Sequence, residues 1–165
     1  MNKVFTMNKV LIAALLAASL GAGVPALAAD SHSHDSQSQA APHKLSLDHG
    51  KKWATDEPLR RGMGEIRAAL AAKHTGIHKG TLTPAEYKAL GETVEKKVGD
   101  IVANCKLAPE ADAQLHVVVA ELVAASDAMQ GKEPQAKPSK GAVKAVHALN
   151  EYGKYFDHPG FKPLR

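Results

Sequence analysis

Thr83-Pro84-Ala85-Glu86-Tyr87-Lys88-Ala89-Leu90-Gly91-Glu92-Thr93-Val94-Glu95-Lys96-Lys97-Val98-Gly99-Asp100-Ile101-Val102-Ala103-Asn104-Cys105 reads as one amphipathic helix with a marked start. Thr83 and Glu86 flank Pro84 at capping-box spacing, so each side chain can take a backbone N–H that the first turn leaves without a partner. Proline suits the first helical position, where it has no N–H to lose. Tyr87, Leu90, Val94, Val98, Ile101, Val102 and Cys105 recur at helical steps and form one apolar face. Pro109 prevents continuation. A stripe of this kind has to be buried against other helices, and the flanking sequence offers three more.

Upstream, Thr55 is the expected N-cap of a helix with Asp56 and Glu57 in its first turn and Pro58 tolerated there. Leu59, Met63, Ile66, Leu70 and Ile77 make its stripe, and Gly80 stops it. Downstream, a third helix from Pro109-Glu110 to Gly131 is expected to bury Leu115, Val118, Val119, Leu122 and Met129. The run Val117-Val118-Val119 would pass for a strand in isolation, but the helical spacing on both sides argues against one. A fourth helix starts at Ser139 and uses Val143, Val146, Leu149, Tyr152 and Phe156, ending at His158-Pro159-Gly160. There is no strand pair, hairpin signal or fixed-period repeat. The expected fold is all-α, an antiparallel up-down-up-down four-helix bundle.

The 165-residue chain divides into a leader at 1–28, a tail at 29–52 and the bundle at 53–165. Lys3 and Lys9 precede the apolar run Val10 to Leu20, and Ala26-Leu27-Ala28-Ala29 supplies small residues for cleavage, the pattern of a secretory signal peptide. That run is too short for a membrane span. The expected location is periplasmic, with no span after cleavage. Losing Lys3 and Lys9 would lower the formal charge from +4 to +2. No basic face with interleaved aromatics points to nucleic acid. From Asp30 to about Leu45 the chain is polar and has nothing to bury, so a disordered tail is expected. Cys105 is the single cysteine, so no internal disulfide can form and packing alone must hold the fold.

The chain has no Gly-x-Ser-x-Gly, no phosphate-cradling loop and no His-Glu-x-x-His, so no enzyme is expected. Histidine is the abundant chemical group, nine in all. His32 and His34 sit beside Asp35 in the tail, and imidazole suits copper, zinc and nickel. Cleavage after Ala29 would put His32 third, where amine, amides and imidazole chelate copper(II). Cleavage after Ala28 fits the Ala-x-Ala rule better and weakens that chelate. A merely solvated tail is the plainer alternative. His74 and His78 are one helical turn apart and share a face, a spacing that suits one metal or, more plainly, two caps on the helix dipole. Up-down packing would also gather Met63, Cys105, His116 and His158 at one pole. Sulfur and imidazole there suit copper(I) or a non-covalent b-type haem, whereas Met63 and Cys105 equally fill core. No Cys-x-x-Cys-His exists, which excludes covalent haem attachment. Trp53 is expected to lie as a lid over the bundle end. Gly153 lowers helix stability, so a neighbour or ligand is expected to approach it closely.

The runs Leu47 to Met63, Cys105 to Asp112 with Leu115-His116, and Tyr155 to Pro159 resemble the DnrO-like small exported proteobacterial proteins. The resemblance implies a periplasmic helical protein and carries no functional residues, because that family has no established activity. Met63 and His158 alone give a looser likeness to cytochrome b562-type bundles. Together these features point to a periplasmic copper or zinc buffer or carrier, its partners the metal ion and a periplasmic protein. The alternatives are a haem-binding bundle or a ligand-free interaction or stress protein.

Overall fold

The computed structural model describes residues 44–165, and the described part is all-helical. In chain order the helices are α1 (Glu57–Ala72), α2 (His74–Lys79), α3 (Pro84–Asn104), α4 (Pro109–Gln130) and α5 (Pro138–Tyr155). The expected first helix is therefore two. Lys73 leaves helical geometry (φ −111°, ψ 6°) and caps α1 through its N–H to Leu70 and Ala71. Thr75 and Gly76, both poor helix formers, follow at once. Gly76 is packed under the Leu82 side chain, against which a Cβ would collide. α2 closes on Gly80 at φ 63°, with Thr81 N–H reaching back 3.0 Å to the Gly76 carbonyl.

Proline stands in the first turn of α1, α3, α4 and α5. The capping box of α3 forms as expected, the Thr83 hydroxyl taking the Glu86 N–H and the Glu86 carboxylate taking the Thr83 N–H. At α1 the N-cap is Asp56 rather than Thr55. Its Oδ1 accepts from Leu59 N–H at 2.9 Å and its Oδ2 from Lys106 N–H at 2.6 Å, so one carboxylate joins the start of α1 to the chain just after α3. Thr55 instead donates to the Asp157 carbonyl at 2.5 Å.

One core runs through the described residues. α1 contributes Leu59, Met63, Ile66 and Leu70; α3 contributes Tyr87, Leu90, Val94, Val98 and Ile101; α4 contributes Leu115, Val118, Leu122 and Met129. On α5 the buried face is Ala142, Ala145, Ala148, Leu149 and Tyr152, while Val143 is 50 % exposed. Two glycines set how closely α4 is approached. A Cβ on Gly91 would lie 2.8 Å from the Ser126 carbonyl oxygen, and one on Gly141 2.8 Å from that of Ala125. Small residues were the requirement at these crossings, so Val143 and Val146 do not form the α5 seam. Val102 likewise turns outward, at 63 % exposure.

Residues 44–52, expected within the tail, are tied to the helices. Asp48 and Lys51 exchange both backbone hydrogen bonds around His49 (φ 46°) and Gly50 (φ 84°), the two positive φ values a type I′ turn requires. A tight two-residue turn is thus present where none was expected, although no strand extends from it. Trp53 N–H donates to the Tyr155 carbonyl at 2.9 Å, Asp157 N–H returns to Trp53 at 2.8 Å, and the Trp53 indole donates to Ser46 at 2.7 Å. Trp53 packs partly buried on the core. Gly153 is explained by the ring of Phe161, whose Cε1 would lie 2.6 Å from an added Cβ. No described helix is long and apolar enough to cross a membrane.

Candidate functional site

α2 presents His74 and His78 one turn apart, with ring centroids 4.7 Å from each other and planes at 82°. Both line a pocket of about 380 Å³ opposite α5, which contributes Val143, Val146, His147 and Asn150. Ile77 forms part of the wall, and Leu164 and Arg165 complete it from the C-terminal segment. That segment is fixed by Asn150, whose amide nitrogen donates to the Leu164 carbonyl and whose oxygen accepts Leu164 N–H, at 2.8 and 2.9 Å. The Asn150 side chain is therefore spent on positioning Leu164. His74 Nε2 is buried without a hydrogen-bond partner; the Tyr87 hydroxyl is the only other such side-chain atom among the described residues. A buried imidazole nitrogen with nothing to bond is costly unless something enters to meet it.

The residues expected at one pole are not brought together as a ligand set. Met63 is wholly enclosed in the core. Cys105 and His116 line a second pocket of about 200 Å³ with Asp112, and neither Met63 nor His158 lines it. Burial, then the charges of Asp56 and Asp112, push the Cys105 thiol up, so the thiolate a soft metal needs is disfavoured. His116 is exposed and bonds within its own helix: Nδ1 lies 2.9 Å from the Asp112 carbonyl, an acceptor only, so that nitrogen carries the proton. His158 is engaged elsewhere. Its Nδ1 lies 3.0 Å from the hydroxyl of buried Tyr152, and its ring packs 5.0 Å from that of Phe161. Burial and then Arg60 lower the His158 pKa, while burial first of all raises that of Tyr152, so the hydroxyl donates to a neutral imidazole. Asp56 does bring the start of α1 beside the chain just after α3, but the four side chains satisfy different neighbours.

Among the described residues no group of three or more His, Cys, Asp and Glu side chains is arranged to hold a metal ion. What remains is the pair on α2. His32 and His34 lie outside the described residues. None of His147, Asn150, Leu164 and Arg165 was expected at a site. The three-residue step from His147 to Asn150 places both on one face of α5, a usable signal; the fold-back of Leu164 and Arg165 left none. A third pocket, of about 310 Å³, lies on the other side of His147 and is lined by Lys44, Glu121, Glu151 and Tyr155. Compared with known proteins, the chain matches no family model, no curated protein and no solved structure.

Proposed function

We propose that this is an exported helical protein that binds copper or zinc in the periplasm and buffers or carries the ion. The observation that carries the reading is the pairing of His74 and His78 on one face of α2, beside a pocket and with one buried ring nitrogen unpartnered. Two imidazoles one turn apart present lone pairs that a borderline metal can bridge, leaving further positions for water or a delivered ligand. The basic, apolar and small-residue order of the first 28 residues supports export, as does the likeness to the DnrO-like proteins. In this reading α1, α3, α4 and α5 run up-down-up-down, and His32 and His34 capture the ion for the α2 pair.

The test is a zinc(II) titration, followed by calorimetry, of chelator-stripped mature chain carrying His32→Ala and His34→Ala. One bound equivalent is expected, and the further pair His74→Ala and His78→Ala should abolish it with the helical circular dichroism intact. Unchanged stoichiometry and affinity in that quadruple variant, or no binding in either protein, would overturn the reading. Intact-mass analysis of periplasmic extract should give a chain starting at Ala29.

A further inference from the structure

A zinc ion held by protein alone takes four ligands in a tetrahedron, and even an open site takes three. The α2 pair supplies two. Among the described residues no third His, Cys, Asp or Glu side chain joins them; His147 lines the same pocket without making a group of three. The missing ligands have to come from elsewhere, and α2 is placed to receive them. Its residues Thr75, His78 and Lys79 are exposed, as are Gly80 and Thr81 after it. Ile77 is the one buried residue of α2, so the helix is fastened from one side. His74 is half-buried, and of its two ring nitrogens only Nε2 is enclosed without a partner, which leaves Nδ1 as the nitrogen open to an incoming ion. Every copy of the chain carries the same exposed pair. A two-fold axis through the ion turns two pairs into four imidazoles, the self-complementary arrangement of an isologous dimer.

We propose that two copies of this chain share one zinc ion, each contributing His74 and His78, so that four protein ligands are assembled only in a metal-bridged dimer. The proposal rests on the metal reading above and adds the partner to it. With zinc scarce, one ion serves two chains. With zinc in excess each pair keeps its own ion, water fills the remaining positions, and the dimer separates, so saturation still gives one equivalent per chain. The bridge brings the exposed Lys79 of each copy near the other, a repulsion in solvent that physiological salt screens.

The test is sedimentation velocity in physiological salt at about 0.1 mM chain, well above a micromolar dissociation constant. The protein is the chelator-stripped mature chain carrying His32→Ala, His34→Ala and His43→Ala, so that only histidines of the described residues remain. It should be a monomer without zinc(II), mainly a dimer at half an equivalent, and a monomer again at five equivalents. Cobalt(II) in place of zinc should give the intense visible bands of tetrahedral coordination at half an equivalent and lose them in excess. His78→Ala, at an exposed position that the fold does not need, should remove the dimer at every ratio with circular dichroism unaltered. A chain that binds zinc by calorimetry yet stays monomeric at half an equivalent would overturn the dimer and leave the metal reading standing. A dimer that forms without zinc, or that survives His78→Ala, would overturn it as well. No zinc binding at all would remove both.

Discussion

His158 and Tyr152 make the clearest single-residue dependence in the described chain. The Tyr152 hydroxyl donates to His158 Nδ1, and Phe161 covers the same ring. Burial, and secondarily Arg60, holds the imidazole below its ordinary 6.5. Asp157 and Asp56 are the acidic groups near this cluster. The unfolded chain therefore takes up a proton on His158 at a higher pH than the folded chain does. Stability is complete above 6.5 and is lost as pH falls below it, down to the lowered folded value. Urea denaturation at pH 8 and pH 5 should show a smaller loss on acidification in His158→Phe than in the parent; an equal loss would remove His158 from the acid response. Single residues were legible where the partner is local. The Thr83–Glu86 box spans one turn and was readable in full. Asp56 was misassigned by one position because Lys106, which takes its second oxygen, comes from the far end of α3, and Thr55 turned to Asp157 instead.

At the scale of helices, the glycines separate into two kinds that the sequence does not distinguish. Gly64 in α1 and Gly99 in α3 have open space where a Cβ would go. Gly91 and Gly141 have backbone atoms of α4 within 2.8 Å of that position. Gly64→Ala and Gly99→Ala should each stabilise by about 0.5–1 kcal/mol, since only backbone freedom of the unfolded chain changes. Gly91→Ala and Gly141→Ala should destabilise by about 1–3 kcal/mol, because carbonyl oxygens cannot step aside as side-chain tips can. Urea midpoints at constant slope would check all four, and a stabilised Gly141→Ala would mean that α4 and α5 are not in close register. Leu149, Tyr152 and Phe156 are buried as expected, and the same crossing explains why the stripe was misread by one position in the first half of α5. Val143 outranks Ala142 on any hydrophobic scale, yet the seam against α4 admits only small residues, so Ala142, Ala145 and Ala148 go inside and Val143 stays half out. Helix existence needed only periodicity; helix facing needed the distance to the neighbour.

For the whole described molecule, the decisive feature is a closure between its two ends that local pattern does not encode. Trp53 and Phe156 pair backbone to backbone, Thr55 bonds Asp157 across 102 positions, Lys52 reaches the Gly153 carbonyl, and Arg67 holds the Lys162 carbonyl. Phe161 then covers Gly153 and the edge of Tyr152 at 5.3 Å, and Leu164 inserts at 8 % exposure beneath Asn150. The candidate pocket exists only because this segment returns: α2 and α5 supply two sides, and Leu164 with Arg165 closes the third. That is why the α2 pair was readable from sequence and the rest of its surroundings was not. Truncation after Gly160 should therefore be costly. Losing the burial of Phe161 and Leu164 should cost about 3–5 kcal/mol, an upper figure from side-chain transfer values. Zinc should still bind, since His74 and His78 are held by α2 and by Ile77 in the core. A truncated chain that keeps full stability would show the C-terminal segment to be surface covering rather than a wall. One that loses zinc binding would mean that α2 takes its position from Leu164 rather than from Ile77.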